Sequence, residues 1–189
     1  MDIFIYLFVA LFSVLNPIGT VPIFVGLTQG YTASERSKTS LVTSINVFII
    51  LMISFFVGQY VLSFFGITIT ALRIAGGIII ASSGFSLLNG NFSKNKGINK
   101  KVQKEVEARQ HIALTPLAMP MLAGPGSISL LIAYYQELGE SGSAITSVEI
   151  LFSCLAILAV AVLIYIVLRS AHYLAKILGS SGIVAISRI

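Results

Sequence analysis

Charge is scarce in this sequence. Lys, Arg, Asp and Glu make up 10% of its 189 residues, where a soluble domain carries about 25%. No charged residue falls between Ile3 and Ser34, and none between Thr39 and Leu72. With 56% hydrophobic residues and a mean hydropathy of +0.95, a chain of this length cannot keep its apolar surface out of water. A soluble fold is excluded, and an all-α integral membrane protein is expected.

Other chemistry is missing too. The single cysteine, Cys154, excludes an intramolecular disulfide and a cysteine-based metal site. The two histidines, His111 and His172, flank apolar segments with no ligand residue on a shared face, so no metal is expected. Neither a G-x-S-x-G turn nor a Walker-type phosphate loop is present, which leaves no evident nucleophile and no known means of ATP hydrolysis. The carboxylates lie in loops or at segment ends, Glu149 among them, so no buried proton relay is visible. An enzyme is not expected, nor a cofactor. A channel or a secondary, gradient-driven transporter remains. The N-terminus lacks a basic lead-in and a small-x-small cleavage site, and so reads as a retained first span.

About 20 apolar residues cross a bilayer as a helix. Five segments qualify, near residues 3–27, 40–63, 67–88, 112–135 and 149–169. The second and third are parted at "SFFGITIT", where Gly66 suits a tight turn. Every Lys and Arg except Arg73 falls in the loops after the first, third and fifth segments. The alternate loops have none. By the positive-inside rule the N-terminus lies outside and the long basic loop, 89–111, in the cytoplasm. That loop, "NFSKNKGINKKVQKEVEARQH", shows no aromatic interleaving or base-reading motif, so no nucleic-acid partner is expected. It reads as a solvated loop, in reach of anionic lipid, joining two halves at 1–88 and 112–189.

Proline is absent from three of the five segments. All five prolines sit in the first, "LNPIGTVPIF", and the fourth, "TPLAMPMLAGPGSISLLI". Asn16-Pro17 and Gly124-Pro125 lie at matching depths, near mid-membrane at 1.5 Å per residue. Proline removes a backbone donor and clashes one turn back, so two helices are broken at equivalent places. The match points to two three-helix repeats. Because three is odd, the second is inverted. Broken helices in inverted halves are the sequence mark of a transport site at the midplane. Unpaired N–H and C=O groups there need a polar cavity or a partner, and half-helix ends offer partial charges of both signs to a small zwitterion. The competing reading takes the prolines as kinks and the glycines as packing seats.

Arg73, in "LRIAGGIIIASSGF", is the one basic residue against the topology. It either snorkels to the outer interface or faces a cavity and meets a substrate carboxylate. The small residues after it, Gly76-Gly77 and Ser82-Ser83-Gly84, suit close helix packing.

Taken in order, "NPIGTVPIF", "SERSKTSLVTSINVFIILMISFFVGQYVLSFFGI", "LRIAGGIIIASSGF", "PLAMPMLAGPGSI" and "SGIVAISRI" resemble the MarC family of bacterial inner-membrane proteins, over almost the whole chain. The resemblance implies six helices in two inverted repeats. It also implies a function like that of relatives classed as neutral amino acid transporters coupled to cation or proton gradients. Carried over by motif, Asn16, Pro17 and Gly19, with Gly124, Pro125 and Gly126, form the two broken elements. Ser127 joins them from the residues themselves, and Arg73 falls within the family's "RIAGG". In the family a sixth helix follows "AISR". Here the sequence ends at Ile189, Gly179–Ile189 is too short to span, and a truncated or incomplete product is expected. The leading expectation is thus a secondary transporter or exporter of small solutes, set in the lipid bilayer and compatible with a homo-oligomer. A non-transporting scaffold or stress accessory, and a passive channel, stand beside it.

Overall fold

The computed structural model describes residues 2–28, 30–88, 117–118, 122–140 and 146–174. Six helices are named here in chain order: α1 Asp2–Leu15, α2 Pro17–Leu27, α3 Ala33–Phe64, α4 Ile69–Leu88, α5 Pro125–Glu140 and α6 Ser147–Arg169. No strand occurs among the described residues. The basic loop at 89–111, His111, Pro116, Pro120 and the segment Gly179–Ile189 lie outside them.

By length and composition, α3 and α6 are each able to cross a membrane, and α1 with α2 passes the same test as a bent pair, a broken span or a re-entrant loop. The apolar run of α4 is shorter, Ile69–Ser82, and the described part of α5 has 16 residues.

The helix α3 begins seven residues before the apolar segment at 40–63. The cause is a capping box: the Glu35 N–H donates to Thr32 Oγ1, and the Thr32 N–H donates to Glu35 Oε2 at 2.7 Å. Two orphan donors are thereby satisfied before any apolar residue is reached. At the other end the chain turns at Phe65-Gly66, where Gly66 has φ 65°, a value that a side chain would oppose. The turn expected at this glycine is observed.

Burial runs opposite to that of a soluble bundle. On α3 the buried face holds Ser40, Thr43, Ser44, Ser54 and Gly58 among Val47, Leu51, Phe55 and Leu62. The outward face carries Leu41, Ile45, Ile49, Ile53, Val57 and Phe64. In lipid no hydrophobic force drives helices together, so small residues that permit close approach line the contacts and large ones face the tails. Their hydroxyls return to their own helix: Ser40 to the Arg36 carbonyl at 2.8 Å, Ser44 to Ser40 at 2.9 Å and Ser54 to Ile50 at 2.7 Å. These three hydroxyls are thereby satisfied within the helix.

The core joins Leu7, Leu11, Phe24, Leu51, Phe55, Leu131, Ile157 and Ile164. The short helix α5 is seated on α3 and α4 through glycine. A Cβ on Gly58 of α3 would strike Ile132, one on Gly76 of α4 would strike Ser129, and one on Gly126 would lie 2.9 Å from Ile80 Cγ1. Close packing is therefore what Gly76 does. From α4, Gly76 is the one residue buried among those with described side chains, so α4 flanks the core without entering it.

Candidate functional site

The first break is made by one residue. Asn16 has φ 42° and ψ 64°, the only positive φ outside glycine among the described residues. Asparagine tolerates this left-handed conformation because its short polar side chain bonds locally. Here Oδ1 accepts the Gly19 N–H at 3.0 Å, capping α2. The Asn16 N–H still donates to the Phe12 carbonyl at 3.0 Å, and its carbonyl accepts the Thr20 hydroxyl at 3.3 Å. Pro17 takes the first position of α2, where a missing N–H matters least. It offers nothing to the Ser13 carbonyl one turn back, and Pro22 offers nothing to Ile18. The helix axis bends by 41°. Gly19 is required beside Asn16, since a Cβ there would sit 2.8 Å from the asparagine Nδ2.

The second break uses different parts to the same end. The Ala123 N–H reaches the Ala118 carbonyl, five residues back, at 2.8 Å, a wide π-type turn of the kind found at functional sites. Gly124 then leaves the helix, and Pro125 opens α5. The Gly124 carbonyl accepts from the Ser127 N–H at 3.1 Å and the Ile128 N–H at 3.2 Å. It also accepts the Ser127 hydroxyl at 2.9 Å. Ser127 is 1% exposed, and Gly126 is buried.

The two breaks meet in space. A Cβ on Gly126 would lie 3.4 Å from Val14 Cγ1. Val14 stands two residues before Asn16, and Gly126 two after Gly124. Further along the same pair, the Tyr6 and Tyr134 rings are 6.1 Å apart, so α1 and α5 run antiparallel. The end of α1 that leads into the first break is thus packed against the start of α5, where the second break ends.

Arg73 is not brought there. Its Nη2 lies 4.0 Å from Glu137 Oε2, with 47% and 69% of the two side chains exposed. Glu137 is eleven residues beyond Gly126 on α5, about 16 Å along the axis. Sequence reasoning missed Glu137 as a partner, because nothing local links the two positions. It also missed the carboxylate caps. Thr-x-x-Glu opens α6 as it opens α3: the Thr146 N–H donates to Glu149 Oε2 at 2.9 Å. That signal was readable at Thr32–Glu35 and Thr146–Glu149.

These features define a class, the all-helical integral membrane proteins with apolar helices interrupted at proline. Comparison with known proteins makes it particular. The family described as MarC family integral membrane protein matches residues 1–189, and the chain belongs to it. It is 41% identical to a UPF0056 membrane protein of Buchnera aphidicola subsp. Schizaphis graminum, covering 100% of this chain and 84% of that one. It is 37% identical to the Escherichia coli UPF0056 membrane protein YhcE, covering 96% and 81%. Against the Escherichia coli UPF0056 inner membrane protein MarC the identity is 38%, covering 96% and 83%. The inner-membrane setting expected from the sequence agrees with that name. No solved structure matches the chain.

Proposed function

We propose that the protein is a secondary transporter or exporter of small solutes, with neutral amino acids as the substrate class. One observation carries the reading: two helices opened by proline, far apart in sequence, face each other at Val14 and Gly126 across the antiparallel α1–α5 pair. A chain with no use for exposed peptide dipoles has no reason to juxtapose two interrupted ladders. A zwitterion's carboxylate would take the N–H groups at the starts of α2 and α5, and its ammonium the carbonyls that lack helical donors near Ser13 and Ile18.

The repeat organisation belongs to the same proposal. Residues 1–88 form one three-helix half and 112–189 the corresponding part of the other, in five crossings joined through a cytoplasmic loop at 89–111, with the N-terminus outside. The antiparallel α1–α5 relation and the matched Thr-x-x-Glu caps of α3 and α6 support it. Gly19, Thr20, Gly126 and Ser127 are all buried, so solute would reach them only when one half rocks against the other. A cation or proton gradient would drive the cycle, and no catalytic step is involved. Arg73, paired with Glu137 at the far end of α5, would act on access rather than on the bound solute.

Counterflow in proteoliposomes, screened over neutral amino acids, tests the proposal. Saturable exchange that falls at least about tenfold in the Pro17→Ala/Pro125→Ala double variant, with the protein still folded, is expected. Absence of exchange for every amino acid in the native protein would overturn transport. Non-saturating flux would replace it with a channel.

A further inference from the structure

Arg36 stands in the first turn of α3, and its Nε is buried with no hydrogen-bond partner among the described residues. Seven residues on, two turns deeper along the same face, the Thr43 hydroxyl is also buried without a partner, and Thr43 is 0% exposed. Its neighbours behave differently. Thr39, Ser40, Ser44 and Ser54 each donate to the carbonyl four residues back. That bond was open to Thr43 by a simple rotation, and it is not made. Buried polar atoms are almost always satisfied, and an exception deserves an explanation, a bound water, ion or ligand among them. Here two exceptions share one stripe of one helix.

The surroundings are basic. Ser37, next to Arg36, lies beside the Tyr165 hydroxyl of α6. Arg169 Nη1 donates to the same hydroxyl at 2.7 Å, with its guanidinium carbon 5.6 Å from the Tyr165 ring centre. The start of α3 and the finish of α6 therefore carry two guanidinium groups at one end of an antiparallel pair. Arg169 is braced by Tyr165, whereas Arg36 holds an idle Nε. That nitrogen is one tine of the fork with which arginine grips a carboxylate or phosphate.

We propose that this end of the α3–α6 pair binds an oxyanion, a phosphate or carboxylate group. Arg36 is its bidentate donor, Arg169 supplies a second positive charge, and Thr43 bonds a polar group of the same ligand about 10 Å deeper. A lipid headgroup and a free solute both present this chemistry, and two measurements separate them. Native mass spectrometry of protein released from phosphatidylglycerol vesicles counts retained lipid. Thermal unfolding in phosphatidylcholine nanodiscs, followed by circular dichroism, reads stabilisation by inorganic phosphate or acetate. Binding in at least one arm is expected for the native protein, weakened about tenfold or more in Arg36→Gln, since charge-assisted bonds are lost. Arg36→Lys keeps part of it, Thr43→Val loses less, and Lys38→Gln, at an exposed basic position on the same turn, binds as the native protein does. Retained phosphatidylglycerol without a response to soluble anions assigns a headgroup, and the converse assigns a solute. Equal binding by the native protein, Arg36→Gln and Lys38→Gln, or no binding in either arm, overturns the site. Should Arg36→Gln lose its helical signal, Arg36→Lys answers the same question. Neither readout depends on flux, so this site stands or falls apart from transport.

Discussion

Asn16 shows how much one side chain does at a helix break. Its left-handed backbone is what lets the chain pass from α1 to α2 without unfolding, and its carboxamide replaces a lost ladder bond at Gly19. Asn16→Ala removes the cap and leaves a positive φ without the local hydrogen bonding that makes it tolerable. A loss of about 1–2 kcal/mol is expected, measured by reversible unfolding in mixed micelles. Asn16→Gly keeps the backbone freedom, forfeits only the cap, and should lose less. The Arg73–Glu137 pair is the opposite case. Both side chains are substantially exposed, and exposed pairs contribute about 0–1 kcal/mol. A double-mutant cycle on Arg73→Ala and Glu137→Ala should give a coupling within that range, falling with added salt. A larger value would mean that lipid shields the pair more than its exposure implies.

Between elements, α5 decides the packing. Gly58 of α3 and Gly76 of α4 reach it, and each seat is matched to a particular side chain. Gly58→Ala drives a methyl group into Ile132, and overpacking of this kind costs about 1–3 kcal/mol. The paired change Ile132→Ala should recover part of the loss, because it empties the space that the new methyl group needs. The meeting of the two breaks has its own check. With Cys154→Ser as background, Val14→Cys/Gly126→Cys places two thiols near the spacing a disulfide requires. Mild oxidation should close the bridge in the membrane. Failure to form it, while a control pair on α3 and α6 closes, would separate the breaks and remove the basis for a shared site.

For the whole molecule the testable quantity is direction. Gly66→Cys should react with an impermeant maleimide from the outside of intact cells, and Lys100→Cys only after the membrane is opened. Labelling of both from one side would refute the alternation on which the inverted halves rest. The lone native thiol at Cys154 makes this a single-substitution background.

Much of this protein was legible without coordinates. Scarce charge declared the membrane, because no other solvent tolerates such a surface. Pro17 and Pro125 marked both breaks, and Gly66 marked the turn, because backbone geometry at these residues is set covalently. The Thr-x-x-Glu caps were equally local. The sequence alone did not tell that Gly126 would rest against Val14, or that Gly58 and Gly76 would serve the same short helix as Gly126. Nor did it pair Arg73 with Glu137, or leave Arg36 and Thr43 unmet. Each of these joins residues distant along the chain, and lipid rewards no particular pairing of one apolar face with another. Only shape complementarity between assembled helices decides them.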